Sequence, residues 1–532
     1  MFRPTSPQRT LFGVEHRMAA VKRDRLERTW AHQFQSHALG LIDEGRFAKY
    51  FDPENGRPNK SIRLVVGVLV LKEVFDLTDA EALEQLEWNL AWHHALDITP
   101  EEAHACQKTL HNYRVLLTGD DEGAGLFEST TARLIEASGL QTRRQRLDST
   151  HILSNIKLLT RLGLFVNTIT QFLEALRREH PRLCAQIKED LAGRYLDRQG
   201  YFADARSSEA PRRLAEAALD VWWLVTHFEE HKQVAAMESF QLLARLYAEQ
   251  CVPPDGDWVD RIELQERPSS SSLQSPSDPD MTYGHKGKGF EVQLAETCVA
   301  ENPFQVITAV DVNDANESDQ QQVGPVLEQT ERSCGAAPDE MHTDAGYGSG
   351  ENIVMAQEEH GTDLKAPIGS NESKKHLPLG EFEFDAEGQK VLQCPVGQVP
   401  ARHQPSRSGK AVLAIFAASQ CRGCPLRHEC PTEKRRDGRH LRITKADVAV
   451  ARRRLEQETK QFKERHKIRS GIEATNSELK RCHGLGKLRV RRRPRVGLAV
   501  RFKVLALNVK RYVAHLTEVT LAAAGPAPAC GC

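Results

Sequence analysis

HKIRSGIEATNSELK, residues 466–480, is the stretch on which the fold turns. On a helix, residues three, four and seven apart share a face. Arg469, Glu473 and Lys480 stand at i, i+4 and i+11, so one face carries cation, carboxylate, cation, with Ile472 and Leu479 beside it as anchors to a core. As a solvated face this stripe is a weak salt bridge. With a metal ion on the acid and phosphates on the bases it is a site. Spacing alone leaves both readings open.

The rest of the chain narrows them. At 532 residues it holds roughly two to four domains, each able to bury a core. Net charge is −1, but residues 431–512 carry 26 Lys and Arg against 8 Asp and Glu, an excess of +18 that leaves −19 for the remainder. Such asymmetry points to a polyanion partner at the C-terminal end. The most apolar run, Leu64 to Leu71, is eight residues with a glycine inside, too short to span a membrane, and MFRPTSPQRT is no signal peptide. Twelve cysteines are too sparse for a disulfide scaffold, which implies a reducing cytosol.

Residues 1–34 are charged and patternless, a flexible arm. From 35 to 125 the pattern is helical: Leu64, Val68, Leu71 and Phe75 share a face, and Thr78-Asp79-Ala80-Glu81 has the spacing of a capping box. Short helices with tight turns fit a DNA-binding helix-turn-helix-like module, with Arg63, Lys72, Lys108 and Arg114 as its basic residues, and equally fit a small bundle. RRQRLDSTHIL (143–153) reads as a strand bearing Asp148. Aspartate is depleted in strands, so the residue is either part of a site or a helix cap. Residues 153–265 are a helical insertion whose apolar stripes, with Trp222 and Trp223, read as core, and 266–280, ERPSSSSLQSPSDPD, reads as a linker. Strand-like runs follow at 290–297, 305–312, 338–349 and 363–369, with helices expected at 316–332 and 350–360. Strands clustered among helices make an α/β sheet over 140–370 whose first strand is cut off by the insertion.

Residues 372–445 form a separate Cys-rich insert. Cys394, Cys421, Cys424 and Cys430 supply four soft ligands, a candidate structural Zn²⁺ site with every ligand place filled; the alternative is four reduced thiols in a compact β-rich unit. Residues 447–515 are helical and basic, including RRRPR at 491–495, and 516–532 reads as a disordered tail.

Three carboxylates stand where such a core can gather them: Asp148, Asp344 and Glu473. In HTDAGYGSG, residues 342–350, the acid sits at a strand end before glycines that let backbone approach closely, and Ser349 is placed to cap the next helix. Asp311 is a rival acid, read as structural because Asn313, Asp314 and Asn316 look like turn chemistry. Three acids can hold two Mg²⁺ or Mn²⁺ ions for an in-line phosphoryl displacement.

The order of these blocks resembles the bacterial insertion-sequence DDE transposases. His466, Arg469, Glu473 and Lys480 match the family's Tyr-x2-Arg-x3-Glu-x6-Lys signature, with histidine in the tyrosine place. LDSTHI, SDPDMTYGHKGKGFEVQLAET, TDAGYGS, SELKRCHGLGKLRVRRR and AVRFKVLALNVKR extend the resemblance over most of residues 40–512. It implies an RNase H-like core with Asp148, Asp344 and Glu473 as its metal triad. It also implies Mg²⁺-dependent cleavage at element ends, joining of the 3′-hydroxyl to target DNA, and assembly of more than one copy on paired ends. DNA contacts are expected from His466, Arg469 and Lys480, with Lys286 and Lys288 adding phosphate contacts. A nuclease without strand transfer and a non-catalytic zinc-stabilised DNA-binding protein are the competing expectations.

Overall fold

In the computed structural model, which describes residues 1–5, 13–56, 58–196, 209–254, 259–369 and 376–524, the run around Asp148 is strand β1 (Arg144–Ile152), near the middle of the main sheet. β2 (Thr282–Gly284), β3 (Gly287–Thr297), β4 (Ile307–Asp314), β5 (Glu340–His342) and β6 (Asp363–Lys365) complete it. The order is β4–β3–β1–β5–β6, with β2 folded back on the start of β3. β3 lies antiparallel to both β1 and β4, whereas β5 runs parallel to β1 and to β6. Parallel neighbours need a crossover, and helices Val323–Cys334 and Gly350–His360 provide it. Both pack on one face around Leu147, Met341, Tyr347 and Leu364.

The opposite face is covered by the N-terminal helices and the final helix, in one continuous core that also takes in Ile472 and Leu479. The expected helical N-terminal module thus shares its core with the sheet and the last helix. Helix Ile62–Val74 is buried on all sides because it lies inside that core. Of the four basic residues expected to contact DNA from 35–125, three are paired internally: Arg63 to Glu44, Arg114 to Asp79, and the buried Lys72 to Glu73. Lys108 is exposed. The capping box at Thr78 and Glu81 is present in both directions and starts helix Asp79–Trp88.

The insertion has its own core of helices Arg161–Glu179, Ala210–Phe228 and Glu238–Gln250. The segment 266–280 is not a free linker. Ser272, Leu273, Gln274, Ser275 and Asp278 are buried. Arg245 donates to the carbonyls of Ser271 and Pro279, and the Glu249 carboxylate accepts the Leu273 N–H. Composition suggested solvent; captured backbone groups made burial affordable.

Two other boundaries move. The arm is tied at both ends: Phe2 N–H donates to Asp52 O at 3.0 Å, and Ala31 and Phe34 enter the core. The last helix, Arg493–Ala524, continues beyond 516, where a tail was expected. Cys530 and Cys532 lie outside the described residues. The Cys-rich insert is a two-stranded pair, β7 (Glu383–Phe384) and β8 (Val391–Gln393), beside a four-stranded sheet of β9 (Arg402–Pro405), β10 (Val412–Phe416), β11 (Glu433–Arg435) and β12 (Gly438–Ile443) in the order β11–β12–β10–β9. It closes on its own apolar cluster around Phe382, Phe416 and Leu441. Among the described residues no helix is long and apolar enough to cross a membrane.

Candidate active site

Strand register brings the first two acids together. Arg146 on β1 pairs with His342, the last residue of β5, and the strands are parallel, so two residues further on Asp148, still inside β1, faces Asp344 in the loop that follows β5. Burial pushes the Asp148 carboxyl up to about 6, against the pull of Arg469, and the Asp344 charge adds to the rise. The loop holding Asp344 is tight. Its Oδ1 accepts Gly346 N–H at 2.8 Å. A Cβ on Gly348 would lie 2.4 Å from the Pro367 carbonyl oxygen, and one on Gly350 2.3 Å from that of Ala446, so both positions need glycine for close backbone approach. Ser349 Oγ caps the following helix by accepting Asn352 N–H.

Helix Gly471–Cys482 lies across this end of the sheet. One guanidinium joins the acids: Arg469 Nη1 is 3.7 Å from Asp148 Oδ1, and Nη2 is 3.4 Å from Glu473 Oε1. One turn on, Asn476 Nδ2 donates to Asp148 Oδ2 at 3.1 Å, while its Oδ1 is buried with no hydrogen-bond partner. Glu473 itself is 67 % exposed. The donor set at this edge is all oxygen, as hard divalent ions prefer. Among the described residues no three His, Cys, Asp or Glu side chains yet stand close enough together to hold an ion.

Several residues here escaped the sequence reading. Burial raises the Asp319 carboxyl above the usual range and the Asp344 charge adds to the rise, opposed by Gln293 Nε2, which donates to its Oδ1 at 3.1 Å. The buried Tyr347 hydroxyl donates to Gln293 Oε1. Asn476 had one available signal, its place three residues after Glu473. Asp319, following Ser318, resembled ordinary helix-start chemistry.

The most consequential omission is Glu296, whose side chain is fully buried on β3. Its Oε1 accepts from Thr475 Oγ1 at 2.6 Å and from Arg511 Nη1 at 2.6 Å, and its Oε2 accepts from Arg146 Nη2 at 2.5 Å. Arg146 Nη1 also donates to the Ile468 carbonyl at 3.1 Å. A Cβ on Gly471 would stand 1.9 Å from that same nitrogen. Sheet, catalytic-helix candidate and last helix thus meet on one carboxylate. An acid at an inward strand position was the only sequence signal for it.

The expected DNA contacts separate into two groups. Lys286 Nζ lies 3.3 Å from Glu291 Oε2 and 3.4 Å from Ser149 Oγ. Partial burial and neighbouring Lys286 lower the Lys480 ammonium, with Glu291 and Asp148 pulling the other way. Both lysines therefore border the acids. Lys288 turns inward, donating to the Leu159 carbonyl at 2.8 Å, and burial lowers its pKa. His466 bonds the Thr343 carbonyl at 2.8 Å and stacks on Phe462, so it braces the residue before Asp344. Neither Lys288 nor His466 offers a free contact in this arrangement.

In the insert, burial raises the Cys421 thiol first; Cys430, Cys424 and Cys394 add to the rise, and Arg439 opposes it. The four cysteines therefore share one end of the β9–β12 sheet. Cys394 Sγ accepts Gln398 N–H at 3.3 Å across a turn in which Gly397 has φ +83°.

Comparison with known families gives two matches. The family model described as Transposase DDE domain matches residues 393–513, and that described as Transposase domain (DUF772) matches residues 27–116. The first spans Glu473 and the cysteines; Asp148 and Asp344 lie outside both. No curated protein and no solved structure matches the chain.

Proposed function

We propose, for a chain that its two family matches assign to the insertion-sequence DDE transposases, that it cuts DNA at the ends of its element and joins the freed 3′-hydroxyl to target DNA. The observation that carries this reading is that Asp148 within β1 stands beside Asp344, just past the end of the parallel β5, while Arg469 touches both Asp148 and Glu473. The sheet order, three antiparallel strands followed by two parallel ones, supports an RNase H-like core.

Asp148, Asp344 and Glu473 are the residues to hold Mg²⁺ or Mn²⁺, and the orphaned Asn476 Oδ1 supports that fit. Held there, two such ions would supply activation of the attacking hydroxyl and stabilisation of the leaving oxygen. Glu473 leaves Arg469 to join the other acids, which frees the guanidinium for a phosphate. Lys480 and Lys286 flank the scissile strand and position it, and exclusion of misaligned strands follows from that placement. Duplex DNA is the partner, as terminal inverted repeats and as target, and pairing two ends calls for more than one copy of the chain.

The test is purified protein with Mg²⁺ and duplex carrying the element's own inverted repeats. Strand-transfer product is expected. Nicking without joining favours a nuclease on the same frame, and binding without cutting favours a non-catalytic DNA-binding protein.

Cys394, Cys421, Cys424 and Cys430 are the residues that would hold a structural Zn²⁺, supported by the influence of the other three on the Cys421 thiol, although among the described residues they do not stand as a closed ligand set. Metal analysis of protein grown with zinc should find about one ion per chain. A strong chelator should then make residues 376–444 protease-sensitive before the main sheet. Protein free of zinc with an equally resistant insert would remove the metal from this account.

A further inference from the structure

Much of the C-terminal arginine run is knitted into the fold. In the arginine run, Arg491 Nε donates to the Asn155 carbonyl at 2.6 Å, Arg492 pairs with Glu238, and Arg493 Nη1 stands 3.3 Å from Asp314. Arg489 donates to the Leu77 carbonyl at 2.8 Å. These cations hold elements together and are not a display surface.

The Cys-rich insert is different. Residues 391–444 contain ten Lys and Arg against three Asp and Glu. Two of those acids are already matched: Glu433 pairs with Arg435, and Asp437 with Arg402 and His440. Arg439 is tied to Thr432. Seven cations remain; Arg407, Lys410 and Arg442 lie toward the other end of the sheet, which leaves Arg422, Arg427, Lys434 and Arg436. All four are exposed, and none of their side chains makes an ion pair or hydrogen bond among the described residues.

Register puts these four at one end of the sheet. Phe416, where β10 stops before Cys421, pairs with Arg439 of β12, and Arg435 pairs with Gly438 across the β11–β12 turn. That turn and the cysteine loop therefore leave the sheet on the same side. Arg407 and Lys410 occupy the β9–β10 turn at the opposite end, since Val412 pairs with Pro405.

We propose that the cysteine end of the insert is a second DNA contact, separate from the acids, in which Arg422, Arg427, Lys434 and Arg436 bind backbone phosphates of duplex DNA. Like charges gathered without internal partners repel one another until an anion neutralises them. Cations spread over the cysteine loop, β11 and the β11–β12 turn suit a row of phosphates and carry no sequence preference. The proposal rests on the transposase reading only for the choice of duplex DNA as the polyanion.

The experiment uses the full chain and a random-sequence duplex lacking the terminal repeats. The slope of log Kobs against log salt loses about 0.9 per phosphate contact removed. The fourfold variant Arg422→Gln, Arg427→Gln, Lys434→Gln, Arg436→Gln should flatten it by about two to four. The pair Arg407→Gln, Lys410→Gln should leave it unchanged. Arg422→Gln and Arg436→Gln alone, each flattening the slope by about one, report the contact should the fourfold protein fail to fold. An unchanged slope in the variants at the cysteine end overturns the proposal, as does equal flattening from the opposite end. Retained DNA slope with lost binding to a polyglutamate peptide overturns it in favour of an acidic protein. Strand transfer by wild-type protein is scored separately, so a silent insert on an active enzyme and a DNA-gripping insert on an inactive one are told apart.

Discussion

Asp148→Asn is expected to abolish Mg²⁺-dependent cleavage and, in metal-free protein at neutral pH, to raise the melting temperature. The carboxyl is largely buried, lies beside Asp344, and is pushed up to about 6 from 3.8. Burial is the main cause; Arg469 offsets only part of it. A folded-state pKa above the unfolded one means that the native protein binds the proton more tightly. Stability contributed by the protonated group is full below about 4 and is lost as pH rises through about 6. At neutral pH the ionised carboxylate therefore weighs against folding, by about 3 kcal/mol at most. Asparagine removes the charge, nearly keeps the shape, and still offers an oxygen to Asn476 Nδ2. Melting curves in chelator at pH 7.5 and pH 4 check this: the variant's advantage should be present at the first and shrink toward nothing at the second. Mg²⁺ should stabilise wild type and not the variant. Retained cleavage would remove Asp148 from the triad. A lower melting temperature at pH 7.5 would show that its attraction to Arg469 outweighs burial.

How much of this was legible depended on whether a residue's role is local. The Thr78 capping box is a four-residue property, and it forms as spaced. The glycines after Asp344 announce close backbone approach by lacking a side chain, and Gly348 and Gly350 have carbonyl oxygens where a Cβ would go. Asp148 stood out as an acid in a strand. Roles set by register were hidden. That Asp148 neighbours Asp344 follows from Arg146 pairing with His342, which no spacing across the intervening residues discloses. Glu296 and Asp319 act through partners far along the chain. Charge counts misled for a related reason. A sum over 431–512 cannot separate Arg493, held by Asp314, from Arg436, which is free. The serine-rich segment misled because composition reports average solvation, whereas Ser272 and Asp278 are buried among the groups that hold them.

Glu296→Ala is expected to cost stability and cleavage together, with cleavage hit harder than DNA binding. The carboxylate accepts from Arg146, Arg511 and Thr475 in a place sealed from solvent. Removing one partner of a buried, hydrogen-bonded charge set costs about 3–5 kcal/mol, because the cations left behind have nothing to replace it. The second loss is positional. Arg146 holds the Ile468 carbonyl and fills the space beside Gly471, so it sets where the helix bearing Glu473 begins. A displacement of about 1 Å at a phosphoryl-transfer site costs on the order of 10²-fold in rate. Glu296→Gln keeps the volume and one carbonyl acceptor, so it should recover much of the fold and only part of the rate. Gly471→Ala, which drives a Cβ into Arg146 and leaves the carboxylate in place, should reproduce the rate loss with a smaller loss of stability. The measurements are cleavage rate, thermal midpoint and duplex affinity on the three variants. If the chain merely unfolds more easily, rate and midpoint fall together and Glu296→Gln restores both. If Glu296 positions the helix, Gly471→Ala separates rate from midpoint while affinity stays near wild type. Wild-type cleavage in a folded Glu296→Ala protein would mean that the helix takes its place from its apolar face alone, through Ile472 and Leu479.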